Sequence, residues 1–180
     1  MKVPVVSFVG SSGAGKTTLI ENIVPEIKSR GYRMAVIKHA PHGFNIDRKG
    51  KDSWRFTHAG ADIVVLSSKD SLCMIQQVVE EPPLEDIISM FEGKVDMIVV
   101  EGYKRSAWPT IEVVRTSVNP RLIHSPEEIL AIVSDQQFPL NIPQFYFEET
   151  RLIANFIIEQ IAKGTLIRRE EKIAADKLQP

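Results

Sequence analysis

Residues Gly10-Ser11-Ser12-Gly13-Ala14-Gly15-Lys16-Thr17 carry the spacing G-x-x-x-x-G-K-T, the phosphate-binding loop known as Walker A. The physical demands behind this spacing are specific. Glycines let the backbone curl so that successive N–H groups converge on an anion. A helix beginning at the end of the loop adds the positive end of its dipole. Lys16 is placed to reach the β- and γ-phosphates, and the Thr17 hydroxyl to ligate Mg²⁺, with Thr18 completing the binding set. The flanks agree. An apolar run, Val3 to Val9, precedes the loop, and a helical pattern, Thr18 to Arg30, follows it. The residues therefore point to a nucleoside triphosphate.

A phosphate loop needs an acidic partner at a neighbouring strand end. Glu101 closes the apolar stretch Met97-Ile98-Val99-Val100 and stands where the Walker B acid belongs. Its carboxylate would hold Mg²⁺ directly or through water, beside Thr17. The usual acid there is Asp, and the extra methylene of Glu also suits it to orienting a water. Lys16 and Glu101 are thus the expected catalytic pair, and Thr17 and Glu101 the expected Mg²⁺ ligands. Lys38-His39-Ala40-Pro41-His42 ends a second strand. Lys38, His39 and His42 read as phosphate or pyrophosphate contacts. A polar loop with solvated histidines is the alternative, and a zinc site lacks a clear third ligand. The run Asp47 to Arg55 adds Lys51, Asp52 and Arg55 as candidates for a second phosphorylated ligand, with Asp52 expected to cap a short helix; an ordinary capped helix with a solvated face is the alternative. Lys104 and Arg105 follow Glu101 and could neutralise phosphate charge or be surface charges. Asp135 follows a late apolar strand. A carboxylate there could accept from the N1–H and N2–H of guanine, although no N-K-x-D motif is present and a turn-forming Asp remains open.

These residues must be positioned by alternating strands and helices. Strands are expected at Val3–Val9, 33–39, Asp62–Ser67, Leu72–Val79, Val95–Val100, Thr110–Val114, Ile129–Val133 and Gln144–Phe147. Helices are expected at Thr17–Arg30, Asp52–His58, Leu84–Phe91 and Glu149–Lys163, with a helical turn at Pro126–Glu128. Leu19, Ile20, Ile23, Val24 and Ile27 should face the core from the first helix, and Leu152, Ile153, Phe156, Ile157 and Ile161 from the last. Pro25 should kink or shorten the first helix. The two strands around Ser68–Ser71 suit a hairpin. The predicted class is α/β, a three-layer P-loop NTPase fold with a mostly parallel sheet and helices on both faces. Ligands of such sheets lie beyond the carboxyl ends of the strands, where the Gly10–Thr17 loop, Lys38-His39, Glu101 and Asp135 all fall.

The chain has 180 residues and a formal net charge of −1, so it has no global basic field to attract nucleic acid. Its single cysteine, Cys73, excludes an intramolecular disulfide framework and suits apolar filling. No run approaches the ~20 apolar residues of a membrane span, and the first strand begins without a signal-like segment. The expectation is a cytoplasmic protein with one domain over residues 1–164 and a charged tail, 165–180, as a frayed helix or disordered.

Taken together, Gly10–Thr17, Lys38-His39 with His42, the Gly50-Lys51-Asp52-Ser53 run with Arg55, Ala59-Gly60-Ala61 and Val100-Glu101-Gly102-Tyr103-Lys104 resemble the molybdopterin-guanine dinucleotide biosynthesis adapter family, MobB. The resemblance covers about residues 1–160. It implies a homodimeric GTP-binding protein with at most slow GTPase activity. It also implies partnership with the guanylyltransferase that attaches GMP to molybdopterin, and with related cofactor-assembly enzymes. The family's phosphate loop would map to Gly10 through Thr17 and its acidic strand-end residue to Glu101. The cofactors implied are GTP and Mg²⁺, and contact between molybdopterin and the 38–55 region is left open. The residues themselves also allow an ATP-dependent small-molecule kinase, with Asp47 or Asp52 as general base, although no arginine-rich lid is evident. A nucleotide switch that orders the 40–51 loop is a third possibility.

Overall fold

The computed structural model describes residues 2–168, so most of the predicted tail lies outside the described residues. The chain forms two compact units: residues up to His39 together with those from Phe91 onward, and Ala40–Met90.

The first unit is built on a six-stranded sheet. Its strands are β1 (Val5–Val9), β2 (Met34–Lys38), β5 (Met97–Glu101), β6 (Thr110–Val114), β7 (Ile129–Ser134) and β8 (Gln144–Phe145), ordered β2-β5-β1-β6-β7-β8. Every pairing is parallel. β1, β5 and β6 are buried along their whole length; β1 and β5 accordingly read as near-continuous apolar runs, whereas β6 also buries Thr110 and Glu112. Helices α1 (Lys16–Lys28) and α4 (Thr150–Ala162) pack together with one face of the sheet. That core joins Val6, Phe8, Met97, Val99, Ile111, Val113, Ala131 and Val133 to Leu19, Ile20, Ile23, Ile27, Ile153, Ala154 and Ile157. Val114, Ile129 and Ile132 form a smaller cluster with Leu122, Phe138, Leu140 and Ile142.

Several boundaries and facings differ from expectation. α1 runs through Pro25 without ending there. Pro25 and Glu21 are both exposed, so the carbonyl left without an amide partner faces water. Leu152, expected in the core, is 48% exposed, while Ala154 takes a buried place on α4. The predicted tail begins inside the fold: Leu166 is buried in the main core, and its carbonyl accepts from the Val5 N–H at 3.1 Å.

The second unit holds α2 (Asp52–His58), an antiparallel hairpin of β3 (Ile63–Ser67) and β4 (Leu72–Gln76), and α3 (Leu84–Ser89). Lys51, not Asp52, is the N-cap of α2, and its side chain makes no capping bond. Asp52 is instead the first helical residue, where its charge still complements the dipole. Ile63, Val65, Leu72 and Met74 lie on one face of the hairpin by register, and all are exposed. No described helix is long and apolar enough to cross a membrane.

Candidate functional site

The loop between β1 and α1 is shaped by close approach. A Cβ on Gly10 would sit 2.2 Å from the Val113 carbonyl oxygen, so only glycine lets β1 turn out against β6. Gly15 is the N-cap of α1; no side chain caps this helix, and no acidic residue stands in its first turn. The free N–H groups and dipole of that end are thus left to an external anion. The Lys16 ammonium lies within the loop, donating to the carbonyls of Gly10 at 3.0 Å and Ser11 at 2.8 Å. Asn119 donates to the Ser11 hydroxyl at 3.2 Å. The Arg115 guanidinium lies 4.1 Å over the Phe147 ring, beside the position a Gly15 Cβ would take.

Strand order brings the acidic partner to the loop. Phe8 of β1 is level with Glu101 of β5, and Glu101 is level with Lys38 of β2. The Thr17 hydroxyl donates to the Glu101 carboxylate, 2.8 Å from Oε1 and 3.0 Å from Oε2. Lys38 Nζ donates to Thr17 Oγ1 at 3.0 Å and lies 3.3 Å from Glu101 Oε2. An ammonium therefore already occupies the position that a hydroxyl and a carboxylate jointly offer to a cation. These hard oxygen donors suit Mg²⁺, which would share them with phosphate oxygens and water. Among the described residues, no group of three His, Cys, Asp or Glu side chains could hold a metal on its own.

The site is locally cationic although the chain is not. Burial holds the Lys16 pKa below its ordinary value; Lys104 and Lys38 push it the same way, and Glu101 opposes them. Lys38 is paired with the Glu101 carboxylate, and Lys104 lies close enough to act on Lys16, an arrangement suited to a polyanion. β5 is followed by a sharp reversal. Gly102 and Tyr103 both have positive φ, 98° and 51°, and a Gly102 Cβ would meet the His39 Cβ at 3.0 Å. The Ser7 hydroxyl donates to the Gly102 carbonyl at 3.2 Å. The His39 ring stacks on Tyr103 with centroids 4.3 Å apart.

The remaining expected residues divide between the units. Asp135 stands after β7 with both carboxylate oxygens engaged by Thr116, at 2.9 Å from its N–H and 3.1 Å from its hydroxyl. The backbone hydrogen bond from Thr116 is the main cause that lowers its pKa. His42, Lys51, Asp52 and Arg55 belong to the second unit, where Arg55 lies 3.5 Å from Asp52. Sequence reasoning missed the Asn119, Arg115 and Phe147 group and the loop reversal at Tyr103. Ser7, a lone hydroxyl in an apolar strand, was the one visible signal among them.

Residues 5–135 match the family described as Molybdopterin guanine dinucleotide synthesis protein B. This chain belongs to that family. It is 33% identical over 159 residues to the molybdopterin-guanine dinucleotide biosynthesis adapter protein of Haemophilus influenzae, covering 87% of this chain and 88% of that one. To the protein of the same name from Escherichia coli it is 30% identical over 170 residues, covering 89% and 95%. A crystal structure of molybdopterin-guanine biosynthesis protein B superposes with a TM-score of 0.68 at 32% identity, over 86% of this chain and 98% of that one.

Proposed function

We propose that this chain is a GTP-binding adapter in the assembly of molybdopterin guanine dinucleotide, with at most slow GTP hydrolysis. The observation that carries this reading is the Lys16–Thr17–Glu101–Lys38 cluster at the mouth of the Gly10–Thr17 loop, in a chain of the adapter family. In this reading the loop amides and the N-terminus of α1 bind the phosphates, and Lys16 leaves its carbonyl partners to reach the terminal phosphates. Thr17 and Glu101 hold Mg²⁺, which when bound neutralises phosphate charge. Lys38, displaced from that oxygen pair, and Lys104 add positive charge around the phosphates, and the Glu101 carboxylate orients water. Asp135 reads guanine with the lone pairs that Thr116 leaves over. The protein works in the cytoplasm beside the guanylyltransferase that joins GMP to molybdopterin.

It does so as a homodimer. A two-stranded hairpin alone is marginal in water, and β3–β4 exposes Ile63, Val65, Leu72 and Met74 on one face. A second copy of the same hairpin is the occupant that fits, extending the open edges and covering the apolar face.

The deciding experiment compares GTP, ATP and XTP affinity in excess Mg²⁺, with wild type and Asp135→Asn. GTP should win, and Asp135→Asn should shift preference toward XTP. An ATP preference above tenfold would contradict the adapter reading and favour a kinase. Capture of the guanylyltransferase by the tagged full chain, with and without GTP, tests the partner, and no enrichment in either condition counts against it.

A further inference from the structure

A buried carboxylate–imidazole pair lies on the sheet face opposite α1, outside the nucleotide machinery. Glu112 of β6 is fully buried, and its register partner Ile132 faces the same way. Its carboxylate accepts from the backbone N–H groups of Ile123 and His124, the latter at 3.1 Å. It also faces His124 Nδ1 at 3.1 Å. The His124 side chain is only 9% exposed. On its other side, His124 Nε2 donates to the Lys104 carbonyl at 2.7 Å. The imidazole is thus anchored to the sheet through Glu112 at one end and to the Lys104 backbone at the other.

The Lys104 carbonyl is not an arbitrary acceptor. The Ser106 N–H donates to the Tyr103 carbonyl at 2.8 Å, closing a turn with Lys104 and Arg105 at its centre. The stem of that turn is fixed as well: the Gly102 N–H donates to the Phe8 carbonyl at 3.0 Å, and Tyr103 stacks on His39 in a left-handed conformation. A non-glycine residue holds that conformation only where its surroundings over-determine it. His124 supplies the restraint on the far side of Tyr103, at the residue whose ammonium stands near Lys16.

We propose that His124, backed by Glu112, is a positioning residue that clamps the Lys104 backbone and so aims the Lys104 ammonium at the phosphates held by the Gly10–Thr17 loop. The proposal rests on the nucleotide reading above. Lys104 touches the ligand; His124 acts only through it.

Two conservative variants separate the halves of the clamp. The amide nitrogen of Asn overlays Nδ1, so His124→Asn keeps the bond to Glu112 and loses the Lys104 carbonyl. The amide nitrogen of Gln overlays Nε2, so His124→Gln keeps the carbonyl and loses Glu112. Lys104→Ala should weaken GTP binding about tenfold. His124→Asn should weaken it by about three- to tenfold and add nothing in the Lys104→Ala background, because the two act as one unit. His124→Gln should stay within about twofold of wild type, once folding is confirmed by a thermal melt. Amide hydrogen exchange over residues 103–106, measured on the full chain without nucleotide, should speed up in His124→Asn and not in His124→Gln. Multiplicative losses in the double variant, or a His124→Gln defect larger than that of His124→Asn, would overturn the proposal, as would unchanged exchange in His124→Asn. If wild type binds neither GTP nor GDP, the nucleotide reading fails, and the exchange comparison still decides whether the clamp exists.

Discussion

Replacing Glu101 by Gln should push nucleotide affinity in opposite directions with and without Mg²⁺. The substitution keeps the shape of the side chain and removes one negative charge from a site that also holds Lys16, Lys38 and Lys104. Folding should survive. The Lys38 half of the ion pair is 55% exposed, so the pair itself contributes little. The Thr17 hydroxyl exchanges a charged acceptor for a neutral one, at a cost of about 1 kcal/mol. In EDTA, the phosphates no longer face a carboxylate. A unit charge a few ångströms away at an effective dielectric of ~20–40 is worth about 1–2 kcal/mol after screening, which is a five- to thirtyfold gain in affinity. In excess Mg²⁺, the site loses its charged oxygen ligand, and affinity should fall about tenfold or more. Titration calorimetry of GTP under both conditions measures the two changes on one preparation. A loss of similar size in EDTA and in Mg²⁺ would refute the reasoning, because it would make Glu101 a support for the loop rather than a partner of the metal.

Other perturbations follow from single contacts. Gly10→Ala drives a Cβ to 2.2 Å from the Val113 carbonyl oxygen; because backbone cannot swing aside, stability should fall by about 3 kcal/mol or more in urea unfolding. Leu166→Ala should lower stability by about 2–4 kcal/mol although the residue lies in a segment that reads as tail, since it is 1% exposed; a change below 0.5 kcal/mol would contradict its core placement. Asp96 is held at a pKa of about 2, chiefly by the side-chain hydrogen bond from Arg33. A depressed carboxylate pKa stabilises above the unfolded value of 3.8 and is lost as pH falls through the folded one. Asp96→Asn should therefore flatten the decline in stability between about pH 4 and pH 2 and change little at lower pH; a decline identical to wild type would remove Asp96 from the acid response.

The elements of this fold were legible because burial writes itself into sequence. Strands covered on both faces are mostly apolar, so β1, β5 and β7 stand out as runs. α1 and α4 stand out by spacing. Facing was less legible where a small residue replaced a large one. Ala154 buries on α4 while the larger Leu152 does not, and hydrophobicity alone ranks them the other way. Leu166 was obscured by the charged segment after it, since composition averages over a window and a single anchoring residue does not move the average. The left-handed Tyr103 was invisible because its conformation is imposed by His39, Ser7 and His124 from elsewhere in the chain rather than by local preference.

The same limit applies more deeply to the site. Lys38, Glu101 and Thr17 were each visible as chemistry at an element end, but their meeting depends on strand order, and order is a property of crossovers rather than of any segment. β5 lies between β1 and β2, which sets Lys38, Glu101 and the start of α1 side by side. Had β2 paired directly with β1, Lys38 would flank the loop and Glu101 would stand one strand further away, beyond direct reach of Thr17. Net charge misleads for the same reason. A total of −1 argues against any anionic partner when spread over the whole surface, yet the sheet brings Lys38 to the Glu101 carboxylate and sets Lys16 within reach of Lys38 and Lys104. The local charge is therefore a product of topology, and, under the proposed nucleotide binding, variants that leave composition unchanged but loosen the β5–β6 connection should bind GTP more weakly.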